Sequence, residues 1–163
     1  MAPKQNPTTS KQNYSTPKDF LEKVKALLDI DSFGIDLAAD STNTVATKFY
    51  DESDDALRQG WKVAGWSWCN PPYKNIAPWV NKAWMESISG AKVAMLIPAS
   101  VGSNWWRQCV HENCLCLFLN GRLSFLENGD PYPKDLALLL YEYVPPVQRT
   151  GYKIWDWRKG NIT

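Results

Sequence analysis

Apolar and polar positions divide the chain into alternating helical and extended stretches. Residues 1–13 (MAPKQNPTTSKQN) are poor in apolar side chains and read as disordered. At Thr16 the pattern changes. A hydroxyl stands at the N-cap position, Pro17 at the first helical position and Asp19 at the third, with Phe20, Val24, Leu27 and Leu28 on one face, so a helix is predicted from Thr16 to about Asp29. Residues 32–40 (SFGIDLAAD) read as a short buried strand running into a polar turn, 48–50 as a second short strand, and 51–59 as the acidic first turn of a short helix.

Residues 63–69 (VAGWSWC) are apolar enough for an interior strand. Val80, Ala83, Trp84 and Ile88 then recur at helical spacing until Gly90 ends the helix. A continuous apolar strand follows at 92–100, a helix over 104–112, and two apolar runs around Asn120-Gly121 that signal a hairpin or bulge. Residues 136–144 read as the last long strand. Strands that first alternate with helices and then follow one another predict an α/β fold with a mostly parallel sheet and an antiparallel edge strand. The organisation expected is a disordered segment at 1–13, one domain at 14–147, and a C-terminal tail at 148–163.

The tail interleaves Arg149, Lys153, Arg158 and Lys159 with Tyr152, Trp155 and Trp157. Such a mixture suits contacts to phosphates and bases, and it suits equally well an amphipathic strand packed back on the domain. A net charge of +1 over 163 residues gives no global polyanion signature, but the ends are basic and the middle acidic, so any nucleic-acid contact is local. Four cysteines without a Cys-x-x-Cys pair, and a single histidine, argue against a metal site and for reduced thiols in the cytoplasm. No apolar stretch is long enough for a membrane span. Nine tryptophans are read as packing residues, with base stacking the alternative for Trp105 and Trp106.

Where the strand at 63–69 ends, the chain reads Asn70-Pro71-Pro72-Tyr73. Ligands of open α/β sheets bind outside the carboxyl ends of the strands, so this corner is a site candidate. Two prolines stiffen the backbone and supply no N–H, leaving the Asn70 side-chain oxygen and a backbone carbonyl as acceptors beside the Tyr73 ring. Their complement is a planar ring bearing an exocyclic amino group. Two acceptors gripping both amine hydrogens favour the tetrahedral, positively charged nitrogen that forms as the amine attacks, so no strong base is needed beforehand. The alternative is an ordinary strand-terminating turn.

The ordered set Thr16-Pro17, Gly34-Ile35-Asp36-Leu37-Ala38-Ala39-Asp40, Asp54-Asp55-Ala56-Leu57, Trp61, Asn70-Pro71-Pro72-Tyr73, Trp79 and Gly121-Arg122-Leu123 resembles the small phage-encoded DNA N6-adenine methyltransferases over residues 14–144. The resemblance implies a Rossmann-like fold that uses S-adenosyl-L-methionine. It implies that Asn70 and Pro71 grip N6, that Pro72 stiffens the corner, and that Tyr73 stacks on an extruded adenine through its ring, its hydroxyl being dispensable. It further implies that Asp36, Ala38 and Ala39 approach the methionine half of the cofactor, that Thr16 and Pro17 close over it, and that an acid meets its ribose, for which Asp51, Asp54 and Asp55 are all eligible and Asp55 is favoured. Ala38-Ala39-Asp40-Ser41 stands where such folds usually have a glycine-rich turn; alanine is small enough for close approach.

Asp36 and Asp55 have plainer readings as a loop acid and a first-turn acid, and Arg122 as either a phosphate contact or a solvated turn residue. The expected partner is DNA, met in a host cell's cytoplasm if the protein is phage-encoded. So small a chain leaves little room for a recognition domain, so specificity is short or a second subunit helps, and a homodimer is among the expected assemblies. Rival functions are the same chemistry on cytosine N4, RNA adenine or a glutamine amide, and a non-catalytic nucleic-acid-binding or inhibitory module.

Overall fold

The computed structural model describes residues 15–125 and 129–163, so the expectation of disorder at 1–13 lies outside the described residues. Helix α1 (Lys18–Leu28) buries Phe20, Leu21 and Val24, and Asp29 closes it in the left-handed conformation at φ 54°. Pro17, not Thr16, occupies the N-cap, and no side chain caps the helix. The Thr16 hydroxyl is engaged elsewhere, accepting from Asn70. Strand β1 (Ile35–Asp36) has only two residues, and the expected strand at 48–50 reduces to one parallel bridge between Asp36 and Phe49.

The acidic segment that follows forms two 3₁₀ turns, Glu52–Asp54 and Ala56–Arg58, instead of one helix. Asp51 caps the first by accepting from the Ser53 and Asp54 N–H groups, and Asp55 breaks the helical path at φ 51°, ψ 73°. Strand β2 (Trp66–Cys69) leads through the Asn70 corner to α2 (Ala77–Ile88). Val80, Ala83 and Ser87 form the buried face of α2, whereas Ile88 is exposed. Gly90, at φ 100°, lets the chain turn into β3 (Lys92–Pro98). A short helical segment then widens to π geometry at Trp106–Val110.

Strands β4 (Leu115–Asn120) and β5 (Leu136–Tyr141) follow, then a small β6–β7 hairpin (Tyr143–Val144, Val147–Gln148), β8 (Gly151–Asp156) and β9 (Asn161–Ile162). The main sheet has the order β1-β2-β3-β5-β4-β8-β9, and all its strands except β5 and β9 run the same way. Two expectations are corrected. The principal antiparallel strand, β5, lies inside the sheet between β3 and β4, where every residue is buried; only the two-residue β9 is an antiparallel edge. Asn120-Gly121 makes no hairpin, because β4 pairs with β5 and β8 and residues 122–125 leave the sheet. Trp157 Nε1 donates to the Gly121 carbonyl at 2.8 Å, and the space a Cβ would need at Gly121 is taken by the Arg158 guanidinium.

The tail is also placed by the sheet. Residues 151–156 pair in parallel with β4, and Trp155 and Trp157 are buried against Phe20 of α1, at ring separations of 5.7 and 5.3 Å. Of the two readings of this segment, the packing strand is the observed one for both tryptophans. One core lies between the sheet and α2 with the π segment; a second, on the other face, joins α1 to Trp66, Trp68, Leu96, Leu117 and Trp155. Burial on both faces is why β3 and β5 read as unbroken apolar runs. No helix among the described residues is long and apolar enough to cross a membrane.

Candidate active site

The register sets the ends of β1 to β4 and β8 along one edge: Asp36 is level with Trp68, Cys69 with Met95, Pro98 with Leu136 and Asn120 with Asp156. Asn70 stands at that edge, directly after β2. Its amide is held from both ends. Nδ2 donates to Thr16 Oγ1 at 3.4 Å, and the Tyr73 hydroxyl donates to Oδ1 at 2.8 Å. The same hydroxyl lies 3.2 Å from the Leu96 carbonyl, so its single proton has a second, longer acceptor. Burial, with Tyr132 and Cys69 nearby, pushes the Tyr73 phenol well above its ordinary value, keeping it a donor. Besides the ring that the sequence singled out, Tyr73 thus brings a hydroxyl bonded to the Asn70 side chain. A carbonyl oxygen has two lone pairs, and one Tyr73 bond leaves the other for a ligand.

A cavity of about 750 Å³ opens on one side of this corner, lined by Asn70 and Pro72, by the loop after β1, and by the two 3₁₀ turns. Its volume is that of a small-molecule site. Asp40, Asp51, Glu52 and Asp55 line it with no lysine or arginine. Two of these carboxylates are committed to local turns: Asp40 accepts from the Thr42 N–H and hydroxyl, and Asp51 from Ser53 and Asp54. The Ser53 hydroxyl, followed by those backbone donors, holds the Asp51 carboxyl below its ordinary value. The Asp55 side chain forms no hydrogen bond or ion pair among the described residues, and its left-handed backbone presents it at the cavity wall. Ala38 and Ala39 line the same wall, and Trp79 adds a flat aromatic surface.

Asp36 does not line the cavity. Its side chain is buried beneath the loop, where Oδ1 accepts from the Ala38 N–H at 3.3 Å and Oδ2 from the Val45 N–H at 3.0 Å. Burial raises its carboxyl to about 6, against the lowering pull of those two donors. Thr16 and Pro17 also lie off the cavity wall; Thr16 reaches the site through Asn70. The structure thus gathers Ala38, Ala39, Asp55, Asn70 and Pro72 at one cavity and sets Asp36, Thr16 and Pro17 behind it.

A second cavity, of about 270 Å³, lies on the other side of the corner and is lined by Tyr73, Lys74, Ser100, Trp105 and Lys134 among others, with two lysines and no carboxylate. Lys74 was not among the residues weighed from the sequence. Lys74 directly follows the corner, which was a usable signal; Trp105 looks like any packing tryptophan. Among the basic candidates, Arg122 and Arg158 share the site edge. Arg122 donates to the Tyr132 carbonyl at 3.2 Å and meets Asp135 at 3.4 Å, while Arg158 donates to the Arg122 carbonyl at 3.0 Å and stacks on Trp157 at 4.4 Å. Lys159 lies 3.7 Å from Asp156 at the same end of β8. Arg149 lies at the opposite edge, paired at 3.2 Å with Glu142, which also meets Lys92. Lys153 is exposed in the middle of β8. Neither is brought to the corner.

A seven-stranded, mostly parallel sheet with its cavities outside the strand ends makes this a mixed α/β protein consistent with a methyltransferase-like fold. Residues 4–136 match the family described as DNA N-6-adenine-methyltransferase (Dam), and the chain belongs to that family. A protein of Escherichia phage T1 named DNA N-6-adenine-methyltransferase is 23% identical over 129 residues, covering 79% of this chain and 53% of that protein. A protein of the same name from Haemophilus phage HP1 (strain HP1c1) is 29% identical over 121 residues, covering 70% of this chain and 69% of its own. The chain spans about half the length of the phage T1 relative.

Proposed function

We propose that the protein is a Rossmann-like methyltransferase that uses S-adenosyl-L-methionine to methylate the N6 amino group of adenine in DNA. The observation that carries this reading is the Asn70 corner standing between a carboxylate-lined cavity and a lysine-bearing one, with the Asn70 oxygen already aimed by Tyr73. S-adenosylmethionine, when bound, supplies an electrophilic methyl group on a positively charged sulfur. A cavity of about 750 Å³ with four carboxylates and no cation suits such a donor in size and charge. Asp55, with its carboxylate uncommitted, would take the ribose hydroxyls, and Ala38 and Ala39 would allow close approach at the methionine end.

At the corner itself, Asn70 Oδ1 and the Pro71 carbonyl would accept the two hydrogens of an adenine amino group and stabilise the positive charge that develops on nitrogen. The Tyr73 hydroxyl and Thr16 hold the Asn70 amide, which makes them positioning residues. Asp36, buried and outside both cavities, is not placed to take a proton, so the amine's proton leaves to water. The adenine must be extruded from the duplex to reach the corner. DNA of a host-cell cytoplasm is the fitting substrate for a chain related to phage proteins.

Asn70→Ala tests the reading. It should leave S-adenosylmethionine affinity within a few-fold and lower methyl transfer by roughly a hundredfold or more, the scale of losing one preorganised polar group. Near-normal transfer by the variant, or no binding of S-adenosylmethionine by the wild type in calorimetry, would refute it.

A further inference from the structure

The smaller cavity carries chemistry beyond access for an amine. Tyr73 and Trp105 are both among its lining residues, as are Lys74 and Lys134, with no acid among them. Neither lysine takes part in an ion pair among the described residues. The adjacent tryptophans have divided surroundings. Trp106 is buried and stacked on Phe118 at 6.2 Å, which accounts for it as a packing residue. Trp105 is only partly buried, packs against the core beside Trp106 at 5.9 Å, and is also among the residues that line the cavity.

Trp105 also sits at the mouth of the π-helical turn at Trp106–Val110, and such widened turns recur at functional sites. An aromatic lining residue beside two lysines, in a space too small for a large ligand, has the chemistry of a single nucleotide: a ring to stack and phosphates to hold. A glutamine-bearing peptide, the rival amine, would have no use for the lysines.

Resting on the methyltransferase reading above, we infer that the smaller cavity is a nucleotide site in which Trp105 stacks on the extruded purine and Lys74 and Lys134 hold its flanking phosphates. Trp105 would thus select for a base, while the lysines would bind the strand whatever its sequence.

Two single-stranded pentadeoxynucleotides, one with a central adenine among thymines and one with an abasic centre, separate these roles in binding experiments with the full chain. The wild type should prefer the adenine strand by between about five- and a hundredfold, the range of one base stacking on protein aromatics. Trp105→Ala should shrink that preference at least about fivefold, with S-adenosylmethionine affinity near wild type in the folded variant, and Trp105→Phe should keep most of it. Lys74→Ala and Lys134→Ala should weaken both strands equally and each lower the log-log salt slope by about 0.7. An undiminished preference in Trp105→Ala, or no preference in the wild type, would overturn the inference. So would loss of folding in Trp105→Ala accompanied by loss of adenine preference in the folded Trp105→Phe. Binding requires no turnover, so a Trp105-dependent preference in a protein that transfers no methyl group would sink the methyltransferase reading and leave the nucleotide site standing.

Discussion

Tyr73→Phe removes one oxygen and keeps the ring, which isolates the positioning role of the hydroxyl. The variant loses the 2.8 Å bond to Asn70 Oδ1 and the 3.2 Å approach to the Leu96 carbonyl. A hydrogen bond of this kind contributes about 1 kcal/mol net to stability, so melting should fall by roughly 2–4 °C in a chain of this size. The effect on rate should be larger than a stability effect alone. With Nδ2 tethered only by the 3.4 Å contact to Thr16, the Asn70 amide is free to rotate its acceptor away from the amine. Losing about 1.4–2 kcal/mol of orientation corresponds to a ten- to thirtyfold slower chemical step. Single-turnover methyl transfer at saturating DNA and cofactor reads that step directly, and the KM for DNA should change little because the ring remains. The expected order is wild type, then Tyr73→Phe, then Asn70→Ala. A single-turnover rate within twofold of wild type would refute the positioning role and restore the simpler reading in which only the ring matters.

The remaining predictions concern charge. Asp36 titrates near 6 when folded against an ordinary 3.8, so its protonated form stabilises the fold fully below about 3.8 and that contribution is lost as pH rises through about 6. The stability of Asp36→Asn relative to wild type should therefore grow by up to about 3 kcal/mol between pH 4 and pH 7 in urea unfolding, and a difference independent of pH would contradict the burial argument. Asp55→Asn keeps a residue type that tolerates the left-handed backbone, so S-adenosylmethionine affinity should drop about tenfold with melting unchanged; equal affinity would remove Asp55 from the site. Arg158→Ala should lower the log-log salt slope of duplex DNA binding by about one, while Arg149→Ala, at the far edge and already paired with Glu142, should leave it unaltered; the reverse pattern would move the DNA to the other edge of the sheet.

Much of the fold was legible because burial on both faces writes itself as continuous apolar sequence. Lys92–Pro98 and Leu136–Tyr141 are read directly for that reason, and Phe20 and Val24 mark the buried face of α1. Strand direction is a different matter. Nothing in Leu136–Tyr141 says that it inserts between β3 and β4, since that depends on where the chain from 121 to 135 returns. The strand at Gly151–Asp156 was obscured because Tyr152, Lys153 and Ile154 are exposed and its buried contribution comes from Trp155 alone, with Trp157 just beyond. Deleting residues after Val147 would therefore remove two strands of the main sheet, β8 and β9, as well as basic side chains.

The site was legible where one rigid tetrapeptide ends a buried strand. Its internal wiring was not, because Asn70 and Tyr73 meet only once the chain takes a tight 3₁₀ turn, and Thr16 arrives from 54 residues away. Asp36 is the opposite case. Its place at a strand end suggested a ligand contact, but the loop above it needed acceptors for the Ala38 and Val45 N–H groups, and the carboxylate turned inward to supply them.

The most direct test of the central claim is chemical identification of the product. The purified protein is incubated with S-adenosylmethionine carrying an isotopically labelled methyl group and with unmethylated duplex DNA, which is then digested to nucleosides and resolved by mass spectrometry, with RNA and a glutamine-containing protein as parallel substrates. Label is expected in N6-methyldeoxyadenosine, abolished or nearly so by Asn70→Ala. Label in N4-methyldeoxycytidine, in RNA adenosine or in methylglutamine instead, or no label in any product, would contradict it.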